Sequence, residues 1–249
     1  MSKYQAIKLS LRAAVLLLAL PAHANNVVTA NQDVALSFTQ PPRLAEAVLT
    51  VTQTQQRSLD DVYWPAAGLY RMESQQAQAI SDLQPIRDQI AVHTGEPRQQ
   101  WQTLYQALSK MVVGERVAGS IDPDITRITP DTNPALNSNW HLQLPKRPTK
   151  VTVLGAVNQP GNYPWNARQA ARDYIQQAKT TTLGVSQVWV ISPTGERTQH
   201  PVAYWNHQHR DILPGSVIYI PLPSKTIKGQ AIAPNQHVLT FLQNRLIRP

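Results

Sequence analysis

Alternating and helical spacings of apolar residues predict a small α+β unit in the first part of the chain. Residues 27–29 and 34–38 carry β-branched or apolar side chains at the spacing of strands. After Pro41-Pro42, the apolar residues that start at Leu44 recur at i+3, i+4 and i+7, which predicts a helix with one buried face. Strand, strand, helix is the first half of a unit in which a sheet packs on a helix.

Helical spacing dominates residues 72–113. A first helix is predicted around Leu83, strained or restarted at Pro85, and a second begins near Trp101 after a turn at residues 94–97. Two amphipathic helices joined by a short loop form a helical hairpin. Because this hairpin comes before the first unit has enough strands to close its sheet, we interpret residues 72–113 as an insertion.

The second half of the chain repeats the order strand, strand, helix and further strands. Alternation over residues 151–157 predicts a strand, and a turn at Pro160-Gly161 leads to the next one. Asn166 is a suitable N-cap for a helix over residues 167–178. Further strands are predicted at residues 188–191, 202–204 and 217–221. The predicted fold class is therefore α+β, with a four- or five-stranded sheet gripping one helix in each half.

The first 24 residues have the pattern of a cleavable export signal. A leader with three basic residues and no acidic one contains an almost unbroken aliphatic run at residues 13–20, and Ala22-His23-Ala24 places small residues where a signal peptidase cleaves. The run is too short to span a bilayer comfortably. The chain has no cysteine, which excludes disulfides, thiolate metal sites and a lipid-modified cysteine. We therefore predict an exported protein in the periplasm of a Gram-negative bacterium, not an integral membrane protein.

These patterns divide the chain into consecutive segments. The run Pro145-Lys146-Arg147-Pro148 predicts a boundary between two domains near residues 146–149. After a polar linker, an amphipathic helix near the end of the chain is expected to dock on its own protein, on a partner or in a membrane interface. The predicted segments are a signal peptide (1–24), a first domain (25–148) with the inserted hairpin (about 72–113), a second domain (149–223) and a C-terminal helix (234–248).

Composition and charge exclude further classes of protein. With 42% apolar and 15% charged residues, the chain is neither a disordered polyelectrolyte nor a membrane bundle. Lys and Arg number 23 against 15 Asp and Glu, and the leader carries three of the eight excess positive charges, so about +5 remains without it. That surplus is too small for a nucleic-acid-binding stripe. It suits acidic glycans or anionic lipid headgroups, or it is ordinary solubilising charge.

Two stretches of the second half carry a resemblance to a known domain. The sequence VTVLGAVNQPGNY at residues 151–163 and the sequence LPGSVIYIP at residues 213–221 resemble the SLBB (soluble-ligand-binding β-grasp) domain of polysaccharide export proteins. In that domain an acidic residue usually follows the second Pro-Gly, where this chain has Ser216. The resemblance implies a β-grasp fold for the second domain.

A wider resemblance covers nearly the whole chain after the leader. The stretches VYWPAA (62–67), IDPDI (121–125) and VAYWN (202–206), together with the Pro214-Gly215 strand, resemble the GfcC-like (YjbG-type) family of periplasmic capsule and exopolysaccharide proteins. This resemblance implies two β-grasp domains, a helical hairpin inserted in the first and a C-terminal amphipathic helix, similar to the periplasmic domains of the outer-membrane capsule exporter. It implies a role in polysaccharide assembly or export, without an established enzymatic activity.

Paired aspartates are the feature that an enzyme hypothesis requires. Glycoside hydrolysis uses two carboxylates about 5–9.5 Å apart, and the candidate pairs are Asp60-Asp61 and Asp122 with Asp124. Because Pro123 favours a turn, Asp122 and Asp124 are also typical turn residues that accept backbone N–H bonds. The chain has no nucleophile elbow, phosphate loop or dinucleotide fingerprint, so we predict no catalytic residues and no cofactor.

A metal site and an anion site are two further hypotheses from charged residues. His207, His209 and Asp211 could supply three ligands from one loop, but histidines on such a polar segment are more often solvated, and we predict no metal. Arg116 and Arg127 flank aspartates where the hairpin returns to its sheet. Such a junction favours a crevice in which arginine binds carboxylates or phosphates, although an ion pair tying the hairpin to the sheet explains the same residues.

Aromatic residues occur in three groups that suit stacking on sugar rings: Tyr63 with Trp64, Tyr163 with Trp165, and Tyr204 with Trp205. Tyr and Trp are also common in protein cores, and alternation along a strand would bury either Tyr63 or Trp64. The candidate ligand-binding residues are Arg116, Asp122, Asp124, Arg127, Tyr63, Trp64, Tyr163, Trp165 and Trp205.

These observations predict a periplasmic, non-enzymatic accessory protein for capsule or exopolysaccharide assembly or export. Its expected partner is an extracellular polysaccharide or a polysaccharide export protein of the outer membrane, and no nucleic acid is expected. We expect a monomer when the protein is isolated. Two alternatives stay open: a polysaccharide-modifying hydrolase that uses Asp122 and Asp124, and a structural adaptor whose C-terminal helix docks on an exporter.

Overall fold

The computed structural model describes residues 26–31, 34–71, 83–117, 120–137, 140–182, 184–206, 208–227 and 232–247. The predicted signal peptide lies outside these residues. The described α-helices are α1 (Leu44–Thr54), α2 (Gln84–Val92), α3 (Gly95–Leu108), α4 (Pro123–Thr126), α5 (Ala171–Ala178) and α6 (Pro234–Gln243). Every helix in these described ranges falls short of the length and apolarity that spanning a bilayer requires.

The first domain is a five-stranded sheet. Its strands are β1 (Asn26–Ala30), β2 (Val34–Phe38), β3 (Gly68–Arg71), β4 (Glu115–Val117) and β5 (Trp140–Gln143). The spatial order is β2-β1-β5-β3-β4, with β1 parallel to β5 and the other neighbours antiparallel. Helix α1 follows β2 and packs into the core of this sheet with Leu44, Ala47, Val48 and Val51, all fully buried.

The second domain repeats this topology strand for strand. Its strands are β6 (Lys150–Gly155), β7 (Gly161–Pro164), β8 (Gln187–Ile191), β9 (Arg197–Pro201) and β10 (Val217–Ile220). The order is β7-β6-β10-β8-β9, again with one parallel pair, β6 with β10, at the centre. Each sheet therefore pairs its first strand with its last after an intervening helix, which is a β-grasp topology. The prediction of an α+β fold with two β-grasp domains is confirmed.

The helix of the second domain begins later than its apolar spacing predicts. It starts at Ala171, because Arg168 has a φ of +63°, a left-handed conformation that cannot continue a right-handed helix. The backbone N–H of Ala170 donates to the Asp173 carboxylate at 2.8 Å, so Asp173 caps this end. The expected N-cap, Asn166, lies in the preceding turn.

The helical hairpin belongs to the first domain in sequence and to the second in packing. Helices α2 and α3 lie between β3 and β4 along the chain. Their buried apolar residues nevertheless join the core of the second domain: Leu83, Ile86, Trp101, Leu104 and Leu108. Pro85 lies in the first turn of α2, where its missing N–H costs nothing. Residues 72–82, where the prediction began this insertion, lie outside the described residues.

Helix α6 packs into the same core as the hairpin. Val238, Leu239 and Leu242 are fully buried there, and the Asn235 side chain bonds both to the Tyr219 hydroxyl and to the backbone of Leu222. Leu154 and Tyr219 are partners on neighbouring strands, and alternation places them on the sheet face opposite to that of Val153 and Ile218. The second sheet is thus covered on both faces, by α5 on one and by α3 with α6 on the other.

Candidate functional site

The linker between the two sheets is held by both domains. The backbone N–H of Tyr63 donates to Pro145 O at 2.8 Å, and that of Trp165 donates to Thr149 O at 2.8 Å. Between these two anchors, the Arg147 guanidinium lies 5.6 Å from the Tyr63 ring centroid and 5.0 Å from the Trp165 ring centroid. Two of the aromatics predicted to stack on sugars therefore stack on one arginine of this chain.

A cleft of about 580 Å³ lies between the two domains. The first domain contributes a short helical turn and β4, and the second contributes the β8–β9 turn and the end of α6. The lining residues are Trp64, Pro65, Ala67, Arg116, Ser120, Thr194, Gly195, Gln243 and Asn244. Its volume is in the range of roughly 300–1,000 Å³ that ligand sites occupy. Two of the predicted ligand-binding residues, Trp64 and Arg116, come together here.

Arg116 reaches across the cleft from β4. Its Nη1 donates to Pro193 O of the second domain at 2.9 Å, and its Nη2 donates to Ala67 O of the first at 2.8 Å. The guanidinium also lies 5.7 Å from the ring centroid of Tyr70, its partner on β3. Among the described residues, no carboxylate forms an ion pair with Arg116. Both domains thus orient a positive charge that their described side chains do not neutralise.

A second guanidinium, that of Arg245, is buried next to the cleft. It donates to four carbonyl oxygens, those of Ile191, Ser192, Gly215 and Leu242, at 2.7–3.3 Å. The pKa of Arg245 is lowered to about 10, chiefly by burial; Tyr70 raises it, and the positive charge of Arg116 lowers it. Arg245 is therefore protonated at neutral pH, and it adds a second positive charge beside Tyr70.

Sequence reasoning did not single out Arg245. The available signal was its position on the apolar side of the C-terminal helical pattern, at i+7 from Val238 and next to Leu246. A charged residue in such a position is costly to bury unless it finds hydrogen-bond partners, and here the carbonyl oxygens supply them.

Asp122, Asp124 and Arg127 form a local arrangement on α4. The Asp122 carboxylate accepts the backbone N–H of Asp124 at 2.9 Å, which caps the helix. Asp124 pairs with Arg127 at 2.7 Å, and both side chains are largely exposed. None of the three lines the interdomain cleft, so the structure does not bring Arg127 and the aspartates into one cluster with Arg116.

The remaining aromatic candidates differ sharply in exposure. Tyr163 is half-buried and donates its hydroxyl to Gln159 O. Trp205 is 78% exposed, and its neighbour Tyr204 is 90% exposed. The turn that carries them is fixed by Asn206, whose side chain accepts from the Ala203 N–H and donates to Ser186 O, both at 3.0 Å. An anchored turn thus presents two aromatic rings to solvent.

The histidine loop shows one pair of possible metal ligands. His209 Nε2 lies 3.0 Å from the Asp211 carboxylate, and His207 lies outside the described residues. The described part of the chain has no group of three residues that could hold a metal ion.

This protein is of the class built from two β-grasp domains in tandem. A helical hairpin of the first domain packs into the core of the second, and a positively charged cleft lies at their junction. Residues 22–147 match the N-terminal domain, and residues 159–247 the C-terminal domain, of the capsule biosynthesis GfcC proteins. The chain belongs to this GfcC family, so the resemblance found in its sequence motifs is confirmed.

A relative with a similar sequence is the uncharacterized protein YjbG of Escherichia coli (strain K12). It is 29% identical to this chain over 196 residues, which cover 77% of this chain and 80% of the relative. The match therefore extends over most of both proteins.

Proposed function

We propose that this protein is a periplasmic, non-enzymatic accessory protein of capsule or exopolysaccharide assembly or export, and that it binds an acidic segment of the polymer in the interdomain cleft. Membership of the GfcC family supports the link to capsule biosynthesis, and the basic, aliphatic leader supports export. The observation that carries the binding role is Arg116, held by carbonyl oxygens of both domains and lacking a carboxylate partner among the described residues.

The chemistry of the cleft suits a carboxylated sugar. A guanidinium has five N–H donors, and the hydrogen bonds of Arg116 to Pro193, Ala67 and Tyr70 leave two of them for a ligand. The half-buried Trp64 offers an apolar ring, while Gln243 and Asn244 offer amide groups. Hydrogen bonds between arginine and a carboxylate are charge-assisted and strong. An acidic sugar unit should therefore bind at this position more tightly than a neutral one.

Calorimetry with fragments of the polymer purified from the producing strain tests this proposal. We expect Arg116→Gln to weaken binding at least about tenfold, because truncating a charged partner in a desolvated site costs roughly 2–5 kcal/mol. Arg127→Gln is the matched control, since it removes the same charge from an exposed pair outside the cleft. Trp64→Ala provides a second variant should Arg116→Gln fail to fold. Equal binding by the wild type and both cleft variants, or no binding by the wild type, overturns the proposal.

The hydrolase alternative is weakened by the partners of its two aspartates. Asp122 caps α4, and Asp124 is paired with Arg127. Asp122→Asn and Asp124→Asn proteins that fold and restore polymer export in a deletion strain contradict catalysis by these residues. Loss of export in both folded variants, with cleavage of the polymer by the wild type, supports it.

Contact with a protein of the export machinery is a second candidate function. The observation that favours it is the exposed Tyr204-Trp205 pair on its anchored turn, because aromatic residues are enriched where proteins bind one another. A photo-crosslinking residue at position 205 in the producing strain should capture an outer-membrane protein, whereas the same residue at exposed position 127 should not. Equal capture from both positions contradicts a specific contact.

A further inference from the structure

A second cavity, of about 360 Å³, follows the interdomain cleft along the C-terminal segment. Gln243 and Asn244 line the first cleft, and residues 245–247 line this one. Its other walls come from the end of the hairpin at residues 110–112, the linker with the start of β6, and the Pro-Gly turn before β10. We call it the linker pocket.

The linker pocket is positively charged. Lys110, Lys150 and Arg245 line it, and no Asp or Glu is among its described lining residues. The buried Arg245 is held by carbonyl oxygens, and both lysines are exposed. Walls of low dielectric strengthen the field of such a group of like charges, so an anion is favoured inside.

Neutral groups in the linker pocket suit a sugar ring rather than a bare anion. Met111, Val217 and Ile247 supply apolar surface for the C–H face of a ring. The Thr152 hydroxyl donates to Asn162 Oδ1 at 2.7 Å and so orients the Asn162 amide, whose Nδ2 has two N–H donors. Within the described residues no acceptor bonds this Nδ2, so it can donate to sugar hydroxyl groups.

The walls of the linker pocket are fixed before any ligand arrives. Leu246 N–H donates to Val112 O, and Gly215 N–H donates to Lys150 O, both at 2.8 Å. Gln143 of the first domain donates to Ile247 O at 2.7 Å. Gly215 has a φ of +87°, and a Cβ there would lie 2.9 Å from Pro148. A preformed site does not pay the entropy of ordering its walls on binding.

We propose that the linker pocket is a second glycan subsite, which binds one carboxylated sugar unit, a uronic acid, through Lys110, Lys150 and the Asn162 amide. This inference rests on the proposed function in that the ligand is an acidic polysaccharide. It adds a separate position on the protein and the chemical class of the unit bound there. A polymer that occupies both sites would run past residues 243–247.

The test is an NMR titration of the full mature chain with methyl glucuronide, methyl glucoside and inorganic phosphate. The reporters are the Met111 methyl group and the Asn162 side-chain amide, both of which line the pocket. We expect both reporters to shift with the glucuronide and to shift at least about fivefold less with the uncharged glucoside at the same concentration. Equal response to glucoside, a response to phosphate as strong as that to the glucuronide, or no response at all overturns the proposal.

Matched variants locate the binding. Lys110→Gln/Lys150→Gln should weaken glucuronide binding at least about tenfold. Arg172→Gln/Lys179→Gln, which removes the same charge from α5 and the residue that follows it, should leave binding unchanged. Equal loss in both double variants would mean general charge attraction and would contradict a specific pocket.

The same titration separates this inference from the interdomain cleft. Arg116→Gln should leave the glucuronide-induced shifts of Met111 and Asn162 intact, while it weakens the binding of the longer polymer fragments. If Arg116→Gln has no effect on the fragments but the lysine variant abolishes the shifts, the cleft proposal fails and the linker pocket stands. If Arg116→Gln abolishes these shifts as well, the pocket is not a separate subsite.

Discussion

The indole N–H of Trp101 donates to the carbonyl oxygen of Pro223 at 2.9 Å. Trp101 lies in the hairpin that interrupts the first sheet, and Pro223 lies just after the last strand of the second. Gln89 of the same hairpin makes a paired contact, since its side chain both donates to and accepts from the backbone of Lys225 at 2.8 Å. The two β-grasp domains therefore cannot move apart freely, because the first supplies part of the core of the second.

Replacing Trp101 should destabilise the protein far more than replacing an exposed tryptophan. Trp101 is fully buried, whereas Trp205 is 78% exposed. We expect Trp101→Ala to cost about 3–5 kcal/mol of unfolding free energy and Trp205→Ala less than about 0.5 kcal/mol. Urea denaturation followed by circular dichroism measures both. Similar losses for the two variants would contradict the packing of the hairpin described above.

Removing the buried guanidinium of Arg245 should take this donor away from the carbonyl oxygens of Ile191, Gly215 and Leu242, whereas Ser192 O keeps its bond from the Gly195 N–H. Each unpaired buried acceptor costs about 1–3 kcal/mol, so we expect Arg245→Ala to lose at least about 3 kcal/mol of stability. Arg127→Ala breaks an exposed ion pair and should lose less than about 1 kcal/mol. Chemical denaturation measures the free energy of unfolding of both variants. A loss for Arg245→Ala no larger than that for Arg127→Ala would show that the hydrogen bonds of Arg245 to carbonyl oxygens do not stabilise the fold.

Two glycines with positive φ should respond differently to alanine. Gly155 (φ +97°) lies on β6, where an added Cβ would meet Ile220 O at 1.8 Å, whereas Gly184 (φ +71°) has nothing within 4 Å. Gly184→Ala should lower the free energy of unfolding only by the strain of the left-handed conformation, about 1–2 kcal/mol. Gly155→Ala also forces apart the central parallel strands, and we expect it not to accumulate as folded protein. Thermal melts and the yield of soluble protein compare the two variants. Equal yields for Gly155→Ala and Gly184→Ala would contradict the predicted clash with Ile220 O.

Stability should fall as the pH drops below about 6.5, in part through His200. Burial lowers the pKa of His200, and the positive charge of Arg210 lowers it further. The unfolded chain protonates this residue near the ordinary histidine pKa of about 6.5, before the folded protein does. Because the unfolded state then binds more protons, folding becomes less favourable as the pH falls.

The variant His200→Gln isolates this contribution. Its urea midpoint should decrease less between pH 7.5 and pH 5.5 than that of the wild type, since glutamine does not titrate. Gln199→Asn, an exposed change on the same strand that removes no titratable group, is the control and should keep the wild-type slope. A wild-type slope in His200→Gln would show that His200 has the same pKa in the folded and unfolded states.

The spacing of apolar residues was sufficient to predict the buried face of an element wherever burial follows the helical or strand period. The residues at i, i+3, i+4 and i+7 from Leu44 are all fully buried on α1, and alternation correctly located β6 and β10. The start of α5 was placed too early, because apolar spacing continues through a turn that the left-handed Arg168 imposes. Backbone conformation at a single non-glycine residue leaves little trace in the sequence.

The sequence by itself determined which faces are buried, the repeated strand and helix order, and the GfcC family, because period and motif are local properties. Only the tertiary structure decided that the hairpin completes the second core and that Arg147 packs against both Tyr63 and Trp165. It also decided that Arg116 and Trp64 line the same interdomain cleft while Asp122 and Asp124 remain on α4. Such pairings join residues distant in sequence, and an apolar stripe or a lone guanidinium is compatible with many partners until the chain has folded.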